Sequence, residues 1–256
     1  FTSPSTLFTS LLYERATVDK YSVIFSDYSV LEGVLTGNTK NNGVDFAIRR
    51  KPGSTTEVYG WVRYIIPGSD AASKDIQRGD LFYAINGTSL NIDNYLDLIS
   101  TDSYTLNLAD YNGGAITPNG PSVALTKTVL AENPILVNSV LTEGDKKIGY
   151  LMYNGFFSAY DNQLNTVFGN FSAQGVTDLV LDLRYNSGGA VTSATKLASM
   201  ITGQFDGQLF AREQWNSKAQ AYFLANNPTR LENKFVSGLN GLNLTKVYVL
   251  TSKSSA

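Results

Sequence analysis

The chain has no cysteine and no histidine in 256 residues. The first absence excludes disulfide frameworks, thiolate zinc sites and cysteine nucleophiles. The second excludes a Ser-His-Asp triad, His-ligated zinc and a histidine general base within this sequence. A hydrolase built from these residues would take its base from Lys, Asp or Glu. Charge is scarce as well: 16% of residues are Asp, Glu, Lys or Arg, against about 25% in ordinary soluble chains. With 20 Lys and Arg against 22 Asp and Glu, no positive excess is available to track phosphates, so no nucleic-acid partner is expected. Apolar runs such as residues 179–181 are strand-sized, far short of the roughly 18 residues of a membrane span. No cluster of suitable spacing suggests a metal, and no cofactor is expected.

What remains is 43% hydrophobic, with 22 glycines and 12% aromatics, enough for one large domain or two modest ones. A chain opening on Phe1 reads as one whose leader, anchor or tag is missing. Apolar residues recur at three- and four-residue steps between Pro4 and Leu35, which predicts one or two helices, with Ser3 before Pro4 as a cap. Gly37 and the Asn-rich turn up to Gly43 end that pattern. β-type runs follow at 44–48, 59–66, 81–85, 104–108 and 123–129, interrupted by short helical stretches at 70–76 and 92–100. Residues 131–146 read as a connection. Beyond it, strand 148–153, helix 159–171, strand 179–183 and helix 192–201 predict a parallel α/β layer, with 246–251 as a further central strand.

The segment richest in chemistry is the buried strand 179–183, which runs directly into Gly188 and Gly189 and then a helix. Glycines bring backbone amides close to a ligand, and an oxyanion hole needs donors fixed where a carbonyl oxygen becomes negative. A plain strand-to-helix turn uses the same residues. Asp182 and Arg184 flank Leu183 on one face of the strand, an arrangement suited to an ion pair that holds the glycine loop. Asp19, Asp27 and Glu32 read as a solvated helix face, and Trp61, Trp215 and the 15 tyrosines read as packing.

Asp182-Leu183-Arg184-Tyr185-Asn186-Ser187-Gly188-Gly189 resembles a segment of the C-terminal processing peptidases, or tail-specific proteases, serine peptidases with a PDZ domain and a crotonase-like core. Lys147-Ile148-Gly149-Tyr150-Leu151 with Phe156 is similar to their opening strand. Val247-Tyr248-Val249-Leu250-Thr251, with Ser254, Ser255 and Ala256, is similar to the strand leading to their nucleophile. Residues from Val62 through Pro67-Gly68, Arg78-Gly79-Asp80 and Asn86-Gly87 resemble a PDZ signature. The resemblance implies an α/β multi-domain protein: an N-terminal helical segment (1–40), a PDZ-like β-rich domain (41–131) and a partial crotonase-like α/β protease domain (132–256).

The same resemblance implies Gly188 and Gly189 as oxyanion-hole residues and a Ser-Lys dyad, in which a desolvated Lys accepts the hydroxyl proton. It places the nucleophile directly after Ala256 and the Lys further on. Ser254 or Ser255 is a weaker alternative, because Lys253 would not face Ser254 along an extended chain. Peptide or protein C-termini would be the partners, held by backbone amides along Gly43, Val44, Asp45 and Phe46, with Tyr95 and Leu98 on the opposite wall. The resemblance also implies export, in a bacterium to the periplasm or as an anchored envelope protein. The alternatives are a non-catalytic peptide-binding or scaffolding protein of the same fold, and a carbohydrate-binding protein built on the aromatics.

Overall fold

The computed structural model describes residues 2–19 and 22–253. The chain divides into two compact units, Asn38–Asn138 and Phe1–Gly37 with Ser139–Ala256. It is a mixed α/β protein with several sheets, and among the described residues no helix is long and apolar enough to cross a membrane.

In the unit Asn38–Asn138, an antiparallel sheet runs in the order Val44–Arg50, Val58–Ile65, Leu81–Ile85, Ser103–Asn112, Ala115–Thr126. Strand Val58–Ile65 alternates strictly, burying Val58, Gly60, Val62 and Tyr64, as a half-buried strand must. The core includes Phe82, Ile85, Leu90, Leu106 and Leu125. Asn86 and Gly87 take positive φ (50° and 78°) and join Leu81–Ile85 to Thr88–Ser89 as a tight hairpin, the turn chemistry that an Asn-Gly pair favours.

Gly60 faces Phe82 across the ladder, and a Cβ there would lie 1.9 Å from the ring. Phe46 closes the ring edge-on at 5.3 Å, so the ring has little room to retreat. Gly60→Ala is expected to destabilise this unit by about 1–3 kcal/mol or more, the ordinary cost of overpacking. A denaturation midpoint equal to the parent's would show that Phe82 has space to yield.

Three local expectations are corrected. The helical stretch at 70–76 shrinks to one 3-10 turn, Ala71–Ser73: Ala71 is its sole buried residue, and the Asp70 carboxylate accepts from Thr126 N at 2.9 Å instead of capping the turn. The run at 123–129 breaks at Lys127, whose N–H donates to Asp102 O, and Thr128–Ala131 pairs instead with Asn38–Asn41. The supposed connection 131–146 contains a strand, Ile135–Glu143, which joins a four-stranded sheet.

That sheet runs in the order Tyr248–Leu250, Asp178–Asp182, Lys146–Tyr153, Ile135–Glu143, and its first three strands are parallel. Helix Asp161–Ala173 buries Leu164, Val167, Phe168 and Phe171, and helix Val191–Thr202 buries Leu197, Met200 and Ile201, the stripe spacing of helices packed on a core. The strand expected at 246–251 is only three residues long, lies at the sheet edge among the described residues, and has exposed side chains. Helix Ser217–Asn226 and the antiparallel pair Leu209–Arg212 and Glu232–Lys234 were not foreseen. Near the N-terminus, Ser3 caps Pro4–Leu11 by accepting from Thr6 N at 3.2 Å, and Asp27 caps Tyr28–Thr36.

Candidate active site

Strand Asp178–Asp182 ends on a fully buried carboxylate. Asp182 Oδ2 accepts from Tyr150 Oη at 2.6 Å and from Arg184 Nη2 at 2.6 Å; its Oδ1 accepts from Arg184 N and Nε, each at 3.0 Å. The ion pair read from the Asp-Leu-Arg spacing is therefore present, and Tyr150 is an addition to it. Burial alone would push the Asp182 carboxyl up, but the hydrogen bonds from Arg184 and Tyr150 and the guanidinium charge hold it below its ordinary value. The Tyr150 hydroxyl is pushed up by burial and by the neighbouring carboxylate.

Beyond Arg184 the chain is pinned bond by bond. Leu183 N donates to Leu250 O at 2.9 Å, and Asn186 N to Leu183 O at 3.1 Å. The buried Asn186 side chain bridges outward: Nδ2 donates to Tyr153 O at 2.9 Å, and Oδ1 accepts from Gly188 N at 2.7 Å. Ser187 N donates to Asn154 O at 3.2 Å, Phe156 N to Gly188 O at 2.8 Å and Ala190 N to Phe156 O at 2.9 Å. Gly188 and Gly189 have φ of 91° and 136°, where side chains are strained. A Cβ on Gly189 would lie 2.5 Å from Phe156 O.

The two glycines are therefore not equivalent. Gly188 N–H is occupied by Asn186 Oδ1, which corrects its expected place as a free oxyanion donor. Gly189 N–H has no acceptor among the described residues. Since Gly188 O faces Phe156 N, and C=O and N–H of a trans peptide point in opposite directions, Gly189 N–H is directed away from Phe156. Ser254, Ser255 and Ala256 lie outside the described residues. Lys253 is exposed.

In the other unit, Val44–Arg50 is the edge strand, and Phe46, Tyr95 and Leu98 all border the same apolar core. The amides of Gly43 and Val44, however, donate to Asn41 Oδ1 at 2.8 Å and Asn42 Oδ1 at 3.1 Å. Their expected grip on a carboxylate is corrected accordingly, because local Asx turns have taken those donors. Gly43 is needed for close approach: a Cβ there would fall 1.8 Å from Ser69 Oγ. The Asp45 carboxylate pairs with Arg63, Oδ2 accepting from Nη2 at 2.9 Å, and Tyr64 Oη donates to Glu132 Oε1 at 2.8 Å. Burial raises both Asp45 and Glu132, against the pull of Arg63.

Sequence reasoning missed Tyr150, Asn186 and the carbonyls of Tyr153 and Asn154 as parts of the loop. Asn186 stood inside the quoted motif, and its small amide between two turn-forming segments was the available signal. Nothing local marks Tyr150, which meets Asp182 only through the parallel register that pairs Met152 with Asp182.

Residues 147–256 match the family model for peptidase family S41. In that segment, and in its mixed α/β fold, the chain resembles S41-type peptidases. More particularly, the chain is similar to a C-terminal processing peptidase: the chloroplastic enzyme of that name from Tetradesmus obliquus is 26% identical over 160 residues, covering 58% of this chain and 34% of that protein. A crystal structure of a protein assigned to the S41 proteases, from Bacteroides fragilis NCTC 9343, superposes with a TM-score of 0.70 and 25% identity over 100% of this chain and 66% of that one. The chain thus spans about a third of the first relative and 66% of the second.

Proposed function

We propose that the chain supplies the peptide-holding unit and the oxyanion-stabilising loop of a serine peptidase that cleaves near substrate C-termini. The observation that carries this reading is the Gly189 N–H, which has no acceptor among the described residues and sits on a loop fixed at both ends, as a donor kept for a developing oxyanion must. The S41 match over 147–256 supports the reaction class. In the proposed step a serine hydroxyl attacks the scissile carbonyl carbon, and its proton passes to a neutral lysine amine. The carbonyl electrons move onto the oxygen held by Gly189, the C–N bond then breaks, and the proton goes to the leaving amine. Water hydrolyses the resulting acyl-enzyme. The Asn38–Asn138 unit is read as PDZ-like, taking the substrate tail as an added strand on Val44–Arg50. The segment 132–256 is read as part of a crotonase-like α/β protease domain, and the whole protein as exported to the periplasm or envelope.

The test uses the full-length protein with a fluorophosphonate probe and peptides bearing free or amidated C-termini. Labelling of a serine, with hydrolysis of the peptides whether their C-termini are free or amidated, is the expected result, because the Gly43 and Val44 amides are already taken by Asn41 and Asn42. Peptide binding without labelling or turnover would overturn the enzyme in favour of a scaffolding protein of the same fold.

A further inference from the structure

We propose that Asn186 is the positioning residue for the oxyanion donor, the group that decides which amide of the Gly188–Gly189 pair is offered to substrate. Two successive peptide planes need fixing. The plane between Gly188 and Gly189 is set by Phe156, whose N–H donates to Gly188 O at 2.8 Å. The plane between Ser187 and Gly188 is set by Asn186 Oδ1, which holds Gly188 N–H at 2.7 Å. Asn186 is itself anchored to the sheet through Nδ2 and Tyr153 O at 2.9 Å, and is 4% exposed. Glycines resist no rotation of their own, so without this clamp the 187–188 peptide can turn and carry Gly189 with it. An oxyanion donor works by standing in place before charge develops, and a loosened donor loses that advantage.

The inference rests on the proposed oxyanion role of Gly189 for its catalytic consequence, while its structural half is independent. In the full-length protein, amide hydrogen exchange read by NMR is expected to show Gly188 N–H protected and Gly189 N–H exchanging freely. Asn186→Ala is expected to remove the Gly188 protection and lower kcat by about 10²-fold, the scale of losing one donor, with KM little changed. Asn186→Asp keeps an acceptor for Gly188 N–H but loses the donor to Tyr153 O, and is expected to retain protection and more turnover than the alanine variant. If Asn186→Ala does not fold, the aspartate variant carries the test against the parent.

Free exchange of Gly188 N–H in the parent would overturn the inference. So would a raised KM with unchanged kcat in Asn186→Ala. An Asn186→Ala enzyme of full activity beside an inactive Gly189→Val enzyme would sink the positioning role alone. Full activity in both would sink the oxyanion reading with it.

Discussion

Gly189→Val is expected to lower kcat by about 10³-fold or more, beyond the roughly 10²–10³-fold of a single lost oxyanion donor, while leaving peptide affinity at the parent's value. The substitution acts in two ways. At φ of 136° a β-branched residue is strained, and its Cβ would meet Phe156 O at 2.5 Å. Relieving that clash breaks the Ala190-to-Phe156 bond of 2.9 Å and the parallel bridge between Phe156 and Gly189. The loop must then leave Phe156, and the Gly189 N–H, which has no acceptor among the described residues, leaves its place. The residues read as holding the peptide, Phe46, Tyr95 and Leu98, belong to the other compact unit, so fluorescence anisotropy with a labelled peptide separates binding from turnover. A variant that hydrolyses peptide at the parental rate would refute the donor assignment.

What the sequence made legible follows a physical division. Periodicity located the alternating strand Val58–Ile65 and the helices Asp161–Ala173 and Val191–Thr202 to within a few residues, because each buries one continuous face. The Asn86-Gly87 hairpin was legible because its backbone needs positive φ at both positions. Ile135–Glu143 was not, since most of it is exposed or half-buried and its Asn, Ser and Thr carry no clean alternation. At the site, the Asp182–Arg184 pair could be read from spacing alone. The distinction between Gly188 and Gly189 could not, because it depends on where Asn186 turns its amide and on the N–H of Phe156 that donates to Gly188 O, more than thirty positions away by number. The same holds at Gly43 and Val44: the sequence showed a turn rich in asparagine, but only the structure shows Asn41 and Asn42 spending the amides that a bound carboxylate would need.

Asp182→Ala is expected to destabilise the α/β unit by about 3 kcal/mol, the lower end for removing one partner of a buried pair, since Arg184 is 39% exposed and water takes up part of the loss. Tyr150 Oη and the Arg184 backbone N–H both lose their acceptor, and the turn that begins at Leu183 loses its hold on the end of the strand. Asp182→Asn keeps the shape and one acceptor but turns an NH2 group toward the Arg184 donors, so it removes hydrogen bonds together with the charge, and the pH-dependent part of its effect isolates the charge. The folded-state carboxyl is held below its ordinary value of 3.8, which fixes the sign: the unfolded chain binds this proton first as pH falls. The charge-dependent stability is therefore fully present above the ordinary value and is lost as pH drops through the lower folded one. Denaturation midpoints measured from about pH 2 to pH 7 should show parent and Asp182→Asn well separated at neutral pH and converging in acid. A separation that stays constant across that range would mean the carboxylate's charge contributes nothing, and that Asp182 holds the loop by hydrogen-bond geometry alone.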